Sequence, residues 1–586
     1  MSFNSPSLSS SDSLSGLPPK ILELLSKQAE AIALQSKVLL KQHQQLTCAN
    51  DPSFPLSSPR QGLQTSPIYQ DNSPSGLSAT AQFQSPEEIR LILWQIIAKV
   101  SGFPQEEIQL HHHLVENLGL DSWMLAQLLH HLKNTFCLAS NMPIQPTMKV
   151  EQVLEQLLSL NNINPTVSLP TPTPIPLSSL KSSVSPQERH QTIETSPAYL
   201  ALQEREHLIS SYTQLNPYFR THEGVNSNRV IIEGRELINY SSYNYVGMSG
   251  DPQVNEAAKQ AIEHYGTSVC ASRIIGGQIP LHQELESKIA EFIGVEDSVV
   301  YVSGHGTNVS TIGHLFGEGD LILHDALSHN SVIVGCILSG AQRQAFPHND
   351  WQALENTLKT LRPYYNKVLI VIEGVYSMDG DIPDLAKFVE VSKANNAYLM
   401  VDEAHSLGVL GKRGKGITEY CNVDPNEVDF LMGTLSKTLA SCGGYIAGRQ
   451  NLIDFLRKTS PGFIFSVGIP AANAAASLEA IKLLEVEPER VKKLQDNSNL
   501  FLTLAKEKGL NTGNSANSAV VPIIVGESSV CLKLSEALFK RGINVDAILY
   551  PAVEKNGARM RFFITSEHSQ EQISYTVNTL AEEIHN

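Results

Sequence analysis

The chain has 586 residues, an apolar share of 41% and a formal net charge of -16. The apolar share supports a sizeable packed core, and the acidic balance argues against nucleic acid as the main partner, because phosphate binding needs clustered Lys and Arg. No apolar run approaches the ~18 residues that span a bilayer, and the N-terminus MSFNSPSLSSSDSLSG lacks the basic and apolar regions of a secretory signal, so a soluble cytoplasmic protein is expected.

The seven cysteines (Cys48, Cys137, Cys270, Cys336, Cys421, Cys442 and Cys531) are scattered, without a CxxC pair or a Cys/His cluster. They read as reduced, mostly buried thiols, with no metal site.

In chain order, a Ser- and Pro-rich stretch, expected to be disordered, gives way at Lys20 to a helical pattern. Leu25, Ile32, Leu39 and Leu46 recur there at sevens. The accompanying seam of Leu22, Ala29 and Ser36 is poor, so a docking helix or a loosely packed amphipathic helix fits better than a coiled coil. Residues 49–83 read as a linker. Helical periodicity then returns in Glu88–Val100, Ser122–Phe136 and Val150–Leu158, predicting a small all-α unit over 85–160. The Pro-rich run NPTVSLPTPTPIPL follows and predicts an extended linker over 161–195. From 196 onward, apolar runs such as KVLIVIEG and AYLMVDEAH alternate with helical stretches. This alternation predicts a parallel sheet covered on both faces. A large part over about 240–450 and a smaller α+β part over about 451–586 are expected.

Within the small unit, ENLGLDSWMLAQLLHHL places Gly119, Leu120 and Asp121 in a loop and Ser122 at a helix start. A serine there ordinarily caps the helix. The Gly-Leu-Asp-Ser run, however, resembles the phosphopantetheine attachment site of acyl and peptidyl carrier proteins. That resemblance implies a covalent 4′-phosphopantetheine on Ser122, whose thiol would hold an acyl group. His130, His131 and Lys133 depart from the acidic helix typical of fatty-acid carriers.

In the catalytic region, VDEAHSLG puts Asp402 at a strand end with His405 after it, where ligand sites of open α/β sheets lie. GTLSKTLAS puts Lys437 just after another strand, beside Thr434. SGHGTN, with Gly304, His305 and Gly306, joins a strand to a helix. Singly, each has an ordinary structural explanation. Together they supply what pyridoxal 5′-phosphate (PLP) needs. Lys437 offers an amine for a Schiff base, Asp402 a carboxylate for the pyridine nitrogen, and the Gly-bearing turn offers backbone N–H groups for the phosphate. Thr434 adds a hydroxyl.

The chain from about Pro217 to Thr579 resembles the α-oxoamine synthases through INYSSYNYVGMSGDP, LHQELESKIAEFIG, DALSHNS, FPHND, VIEGVYSMDGDIPDL, VDEAHSLG, GTLSKTLAS and ARMRFFITSEH. The resemblance implies PLP fold type I, an aspartate-aminotransferase-like large domain with a C-terminal small domain. By position it implies that His329 stacks on the cofactor ring and that Ser377 and His405 bond its hydroxyl. Arg561, rather than Arg559, would grip the amino acid's carboxylate, with Asn244 assisting. The implied reaction is a decarboxylative condensation of glycine, alanine or serine with an acyl thioester, giving an α-amino ketone, at an active site shared by a homodimer. Arg273 in GTSVCASRIIGGQ leaves the acyl donor undetermined.

A carrier fused to a condensing enzyme suggests donation in cis, from an acyl chain supplied by polyketide or fatty-acid synthase components. An aminotransferase acting on a carrier-bound carbonyl shares the cofactor machinery, and a carrier scaffold with an inactive PLP fold is the non-enzyme alternative.

Overall fold

A computed structural model of the chain describes residues 86–160, with breaks at 102–104, 106–107, 115–117, 119, 121 and 137–147. It also describes 192–585, apart from 551 and 555. The helix expected at about 20–46 and the Pro-rich linker to residue 191 lie outside the described residues.

Three helices build the first unit: α1 (Pro86–Ser101), α2 (Ser122–Thr135) and α3 (Val150–Leu160). Each presents apolar residues at three- and four-residue spacing, which gathers them on one face. Leu93 and Ile97 meet Leu125, Leu128 and Leu132 of α2, and Val153 and Leu157 of α3, in one buried cluster. Trp94 joins it and satisfies its indole N–H on Ile108 O at 2.7 Å. Leu114, Leu118 and Leu120 anchor the loop before α2 in the same core, and Leu120 N donates to Leu114 O at 3.0 Å. Ser122 opens α2.

The second region is organised by a seven-stranded sheet. Its strands are β1 (Asp297–Tyr301), β2 (Leu321–Asp325), β3 (Gln342–Phe346), β4 (Val368–Glu373), β5 (Tyr398–Asp402), β6 (Phe430–Thr434) and β7 (Gly444–Gly448). They lie in the order β1-β7-β6-β5-β4-β2-β3. Strands β2, β4, β6 and β7 are buried along their whole length, as strands covered on both faces must be.

The sheet departs from the expected all-parallel arrangement at β7, which runs antiparallel to both neighbours. The cause is local. Only residues 435–443 connect β6 to β7, and a parallel crossover needs a dozen or more.

Helices α4 (Pro252–Tyr265) and α5 (Pro280–Ile293) precede the sheet. Helices α6 (Gly304–Leu315) and α7 (Asn330–Ser339) follow β1 and β2, and α8 (Ala471–Val486) packs back onto α4 and α5. Leu478, Ile481, Leu484, Val491 and Leu494 belong to the core of the large sheet. By packing, the large part therefore extends beyond 450.

A separate antiparallel sheet, β8 (Val520–Gly526), β9 (Asp546–Ile548) and β10 (Ala558–Phe563), carries the small core in the order β8-β10-β9. The N-terminal strands Arg229–Ile232 and Arg235–Asn239 join it indirectly, because Ile543–Asn544 pairs with the second of them.

Among the described cysteines, Cys336 and Cys531 are buried, Cys421 is intermediate, and Cys270 and Cys442 are exposed. The expectation of mostly buried thiols therefore holds for only part of the set. No helix among the described residues is long and apolar enough to cross a membrane.

Glycines let helix α6 approach the sheet closely at β7. A Cβ on Gly444 would stand 2.5 Å from Thr307 Oγ1 and 2.7 Å from Gly304 Cα. Gly444→Ala is expected to push α6 from the sheet and cost about 1–3 kcal/mol, in the range of overpacked cores. A lowered thermal midpoint with weakened retention of PLP would show it.

Candidate active site

The chemistry-bearing side chains converge at the C-terminal ends of the parallel strands. Asp402 ends β5 and is buried; its Oδ2 accepts from Asn308 Nδ2 at 2.8 Å and its Oδ1 from Ala404 N at 2.9 Å. Asn308 reaches from α6 and also donates to Ser331 Oγ at 2.9 Å. The carboxylate is thus held in one orientation by a side chain and a backbone amide.

Lys437 lies in the tight β6–β7 connection, with Nζ 5.7 Å from the centre of the Tyr243 ring. Burial pulls its pKa down to about 8, although Asp402 and Glu373 act to raise it. A neutral amine at that position is a competent nucleophile and base.

His329 caps α7: its Nδ1 accepts from Ser331 N at 3.3 Å and lies 2.7 Å from Ser331 Oγ. Burial lowers its pKa. Its ring lies edge-on to His305 at 6.2 Å. His405 is buried, 2.7 Å from the Tyr245 hydroxyl through Nδ1, and its ring is parallel to Phe563. Burial, reinforced by Lys437 and Arg561, holds its pKa well below the ordinary histidine value.

The turn Ser303–Gly306 opens α6 as expected. Ser303 Oγ caps Gly306 N at 3.2 Å, while Gly304 and His305 occupy the first turn, whose amides lack helical partners. A Cβ on Gly304 would meet Thr434 Oγ1 at 2.7 Å. Thr434 itself donates to Gly443 O at 3.0 Å, so it ties β6 to the loop bearing Lys437.

From the small sheet, β10 sends in two buried arginines. Arg559 is held by Asp379 Oδ1 at 2.5 Å and by Gly557 O at 2.9 Å. Arg561 touches Ser377 O and Met378 Sδ at 3.3 Å, and its guanidinium lies over Phe563. Among the described residues its buried Nε has no hydrogen-bond partner. Arg561 is thus a buried arginine and not a surface one. Asn244 closes a local turn, its amide donating to Ser249 O at 3.0 Å and accepting from Ser249 N at 2.9 Å.

Three participants escaped the motif reading. Glu373 ends β4, is buried, and accepts from His329 N at 2.6 Å. Burial first, and then Asp402, raise its pKa well above the ordinary carboxylate value. Asn308 and Tyr245 are the others. Glu373 carried a usable signal, since it closes the apolar run VLIVIE much as Asp402 closes YLMVD.

These residues fit PLP. Arg561 Nε and Asn308 Oδ1, without hydrogen-bond partners among the described residues, leave buried polar capacity in the cleft, and the Gly304–Gly444 approach brings backbone rather than side chains to the Ser303–Gly306 turn. The fold and this set of side chains define a PLP-dependent enzyme of fold type I.

Comparison with known proteins agrees. The model of the aminotransferase class I and II family matches residues 235–580, and that of the phosphopantetheine attachment site matches 92–147. The 8-amino-7-oxononanoate synthase of Thermoanaerobacter pseudethanolicus is 39% identical over 351 residues, covering 60% of this chain and 88% of the relative. That of Symbiobacterium thermophilum is 40% identical over 353 residues, covering 60% and 90%. Among solved structures, Sphingomonas wittichii serine palmitoyltransferase aligns with a TM-score of 0.64 at 31% identity, over 67% of this chain and 98% of its own. The chain belongs to the aminotransferase class I and II family, and within it to the α-oxoamine synthases, PLP-dependent acyltransferases, with a carrier domain attached.

The lowered Lys437 pKa has a kinetic consequence. In cofactor-free protein, the rate of PLP capture should rise with pH up to about 8 and level off above it. An unshifted lysine would keep rising to about 10.4. Stopped-flow absorbance from roughly pH 6.5 to roughly pH 11, which brackets both values, distinguishes the two.

Proposed function

We propose that this enzyme condenses an amino acid with an acyl thioester carried on its own Ser122, releasing CO2 and the carrier thiol and giving an α-amino ketone. The observation that supports the reading is the presence in one chain of a match to the phosphopantetheine attachment site and of a cleft that gathers Lys437, Asp402 and the buried Arg561.

Asp402 would hold the pyridine nitrogen, His329 the ring face, Ser377 and His405 the ring hydroxyl, and the Gly304–His305–Gly306 turn with Thr434 the phosphate. When bound, PLP supplies an electron sink for charge developing at the amino acid's α-carbon. Arg561 receives the substrate carboxylate with a forked donor set. Asn244 keeps one amide hydrogen for the same carboxylate. Lys437, its pKa lowered by burial to about 8 and so partly neutral near that pH, takes the α-proton on Nζ. Neutral His405 and His329 add no positive charge to compete with that transfer.

Glycine, alanine or serine is the expected amino acid, and a polyketide or fatty-acid synthase the expected source of the acyl chain. About 35 residues, 161–195, lie between the two regions in the sequence. A tether of that kind raises the local carrier concentration to around millimolar. The enzyme would work as a cytoplasmic homodimer. Ile275 at 88% and Phe465 at 83% exposure support the dimer, because Ser272 bridges to Val467 and brings the two apolar segments together.

Phosphopantetheinylated, acyl-loaded protein mixed with candidate amino acids should lose its acyl mass from the Ser122 peptide with one amino acid only, together with release of an amino ketone. Full turnover of acyl-CoA by Ser122→Ala would overturn donation in cis. A keto-acid product would favour an aminotransferase instead.

A further inference from the structure

The FPHND segment takes no part in the cleft chemistry above, yet it closes a buried charged cluster beside it. Both ring nitrogens of His348 meet aspartates: Nδ1 is 2.8 Å from Asp325 Oδ1, and Nε2 is 2.7 Å from Asp381 Oδ2. An imidazole that donates on both sides carries both protons. Against the burial that pulls it down, Asp325 and Asp381 raise its pKa to about 10. Asn349 repeats the bridge, its N–H donating to Asp325 Oδ2 at 2.8 Å and its Nδ2 to Asp381 Oδ2 at 2.6 Å.

Asp325 ends β2, a rigid strand of the large sheet. Asp381 ends the turn from Tyr376 to Asp381, which is closed by Gly380 N on Tyr376 O at 2.8 Å. The far side of that turn is gripped by the small sheet and its lead-in. Gly380 O accepts from Ser518 Oγ at 2.7 Å and Ala516 N at 3.2 Å. Arg559 holds Asp379, and Arg561 lies on Ser377 O. Gly380 has φ +70°, and a Cβ there would collide with Val520 O. The turn is therefore a wedge between the two sheets. His348 fastens one side, and Arg561 leans on the other.

We propose that His348 is a positioning residue for the amino-acid substrate: by bridging Asp325 and Asp381 it fixes the 377–381 turn that aims Arg561 into the cleft. The inference rests on the reading that Arg561 receives the substrate carboxylate. His348 touches neither cofactor residues nor substrate in this arrangement. Its effect is transmitted through the turn, so it should fall on amino-acid affinity more than on PLP retention, because Ser377 is only one of the several residues assigned to the cofactor.

The test measures amino-acid dissociation constants from the absorbance change of PLP-loaded protein, alongside PLP affinity and steady-state KM and kcat. His348→Gln should weaken amino-acid binding about tenfold and raise KM in step, with kcat and PLP affinity within about threefold of the parent; displacements of an ångström carry effects of this size. Hydrogen exchange at residues 377–381 should rise in the same variant. Ser518→Ala loosens the turn from the other side and should shift the same quantities in the same direction. It also decides the matter should His348→Gln fail to fold. Unchanged amino-acid affinity in the folded variants, or loss of PLP in equal proportion, would overturn the proposal. Arg561→Ala separates the two layers. If it weakens amino-acid binding while His348→Gln and Ser518→Ala do not, the carboxylate assignment stands and the positioning role fails. If Arg561→Ala leaves binding unchanged, the carboxylate assignment fails and takes the positioning role with it.

Discussion

Three adjacent strands of the large sheet each end in a buried carboxylate: Asp402 on β5, Glu373 on β4 and Asp325 on β2. Glu373 and Asp402 are registered opposite one another across the ladder. Burying like charges side by side is costly unless each is paired, hydrogen-bonded or protonated, and the architecture around the cleft answers each case differently. Asp325 is matched by His348 and backbone amides. Glu373 takes the His329 N–H and has its pKa raised by burial. Asp402 is oriented by Asn308 and Ala404. Its charge faces Lys437, and this carboxylate is the one suited to a cationic ring nitrogen.

The same row of acids accounts for the electrostatics of the bases. Lys437 is pulled toward neutrality by burial, and Asp402 and Glu373 limit how far it goes. A wholly apolar pocket would leave the amine neutral but give nothing to steady a protonated product. A fully exposed one would leave it charged and inert at neutral pH. Placement in a connection too short for a crossover does the rest, since Thr434 and Gly443 hold the loop closed across its base.

Much of this was legible because the chemistry sits at strand ends. Apolar runs closed by Asp402, or followed at once by Lys437, display both the element and its reactive terminus in a few consecutive residues. The Gly-bearing turn before α6 is equally local. What the sequence could not display were partnerships set by topology. His348 meets aspartates 23 and 33 residues away, and Asn308 meets Asp402 across 94. Nothing in FPHND or SGHGTN names those partners; strand order does. The antiparallel β7 was readable in principle from the length of its connection, but the buried apolar pattern of GYIAG is the same in either direction.

Arg559 and Arg561 show where spacing stops and packing decides. Two residues apart on β10, they point to the same face and are both buried. Hence neither exposure nor periodicity separates them. Their partners do. Arg559 is neutralised by Asp379 at 2.5 Å, whereas the acid nearest Arg561 is Asp546 at 3.5 Å, and its Nε is left without an acceptor. A guanidinium desolvated to this degree needs a further acceptor to be stable in place, and the carboxylate of the proposed amino-acid substrate would supply it. Arg559 therefore anchors the turn through Asp379, and Arg561 leans on the same turn with donor capacity left over, which on the proposed reading divides one strand face between structure and recognition.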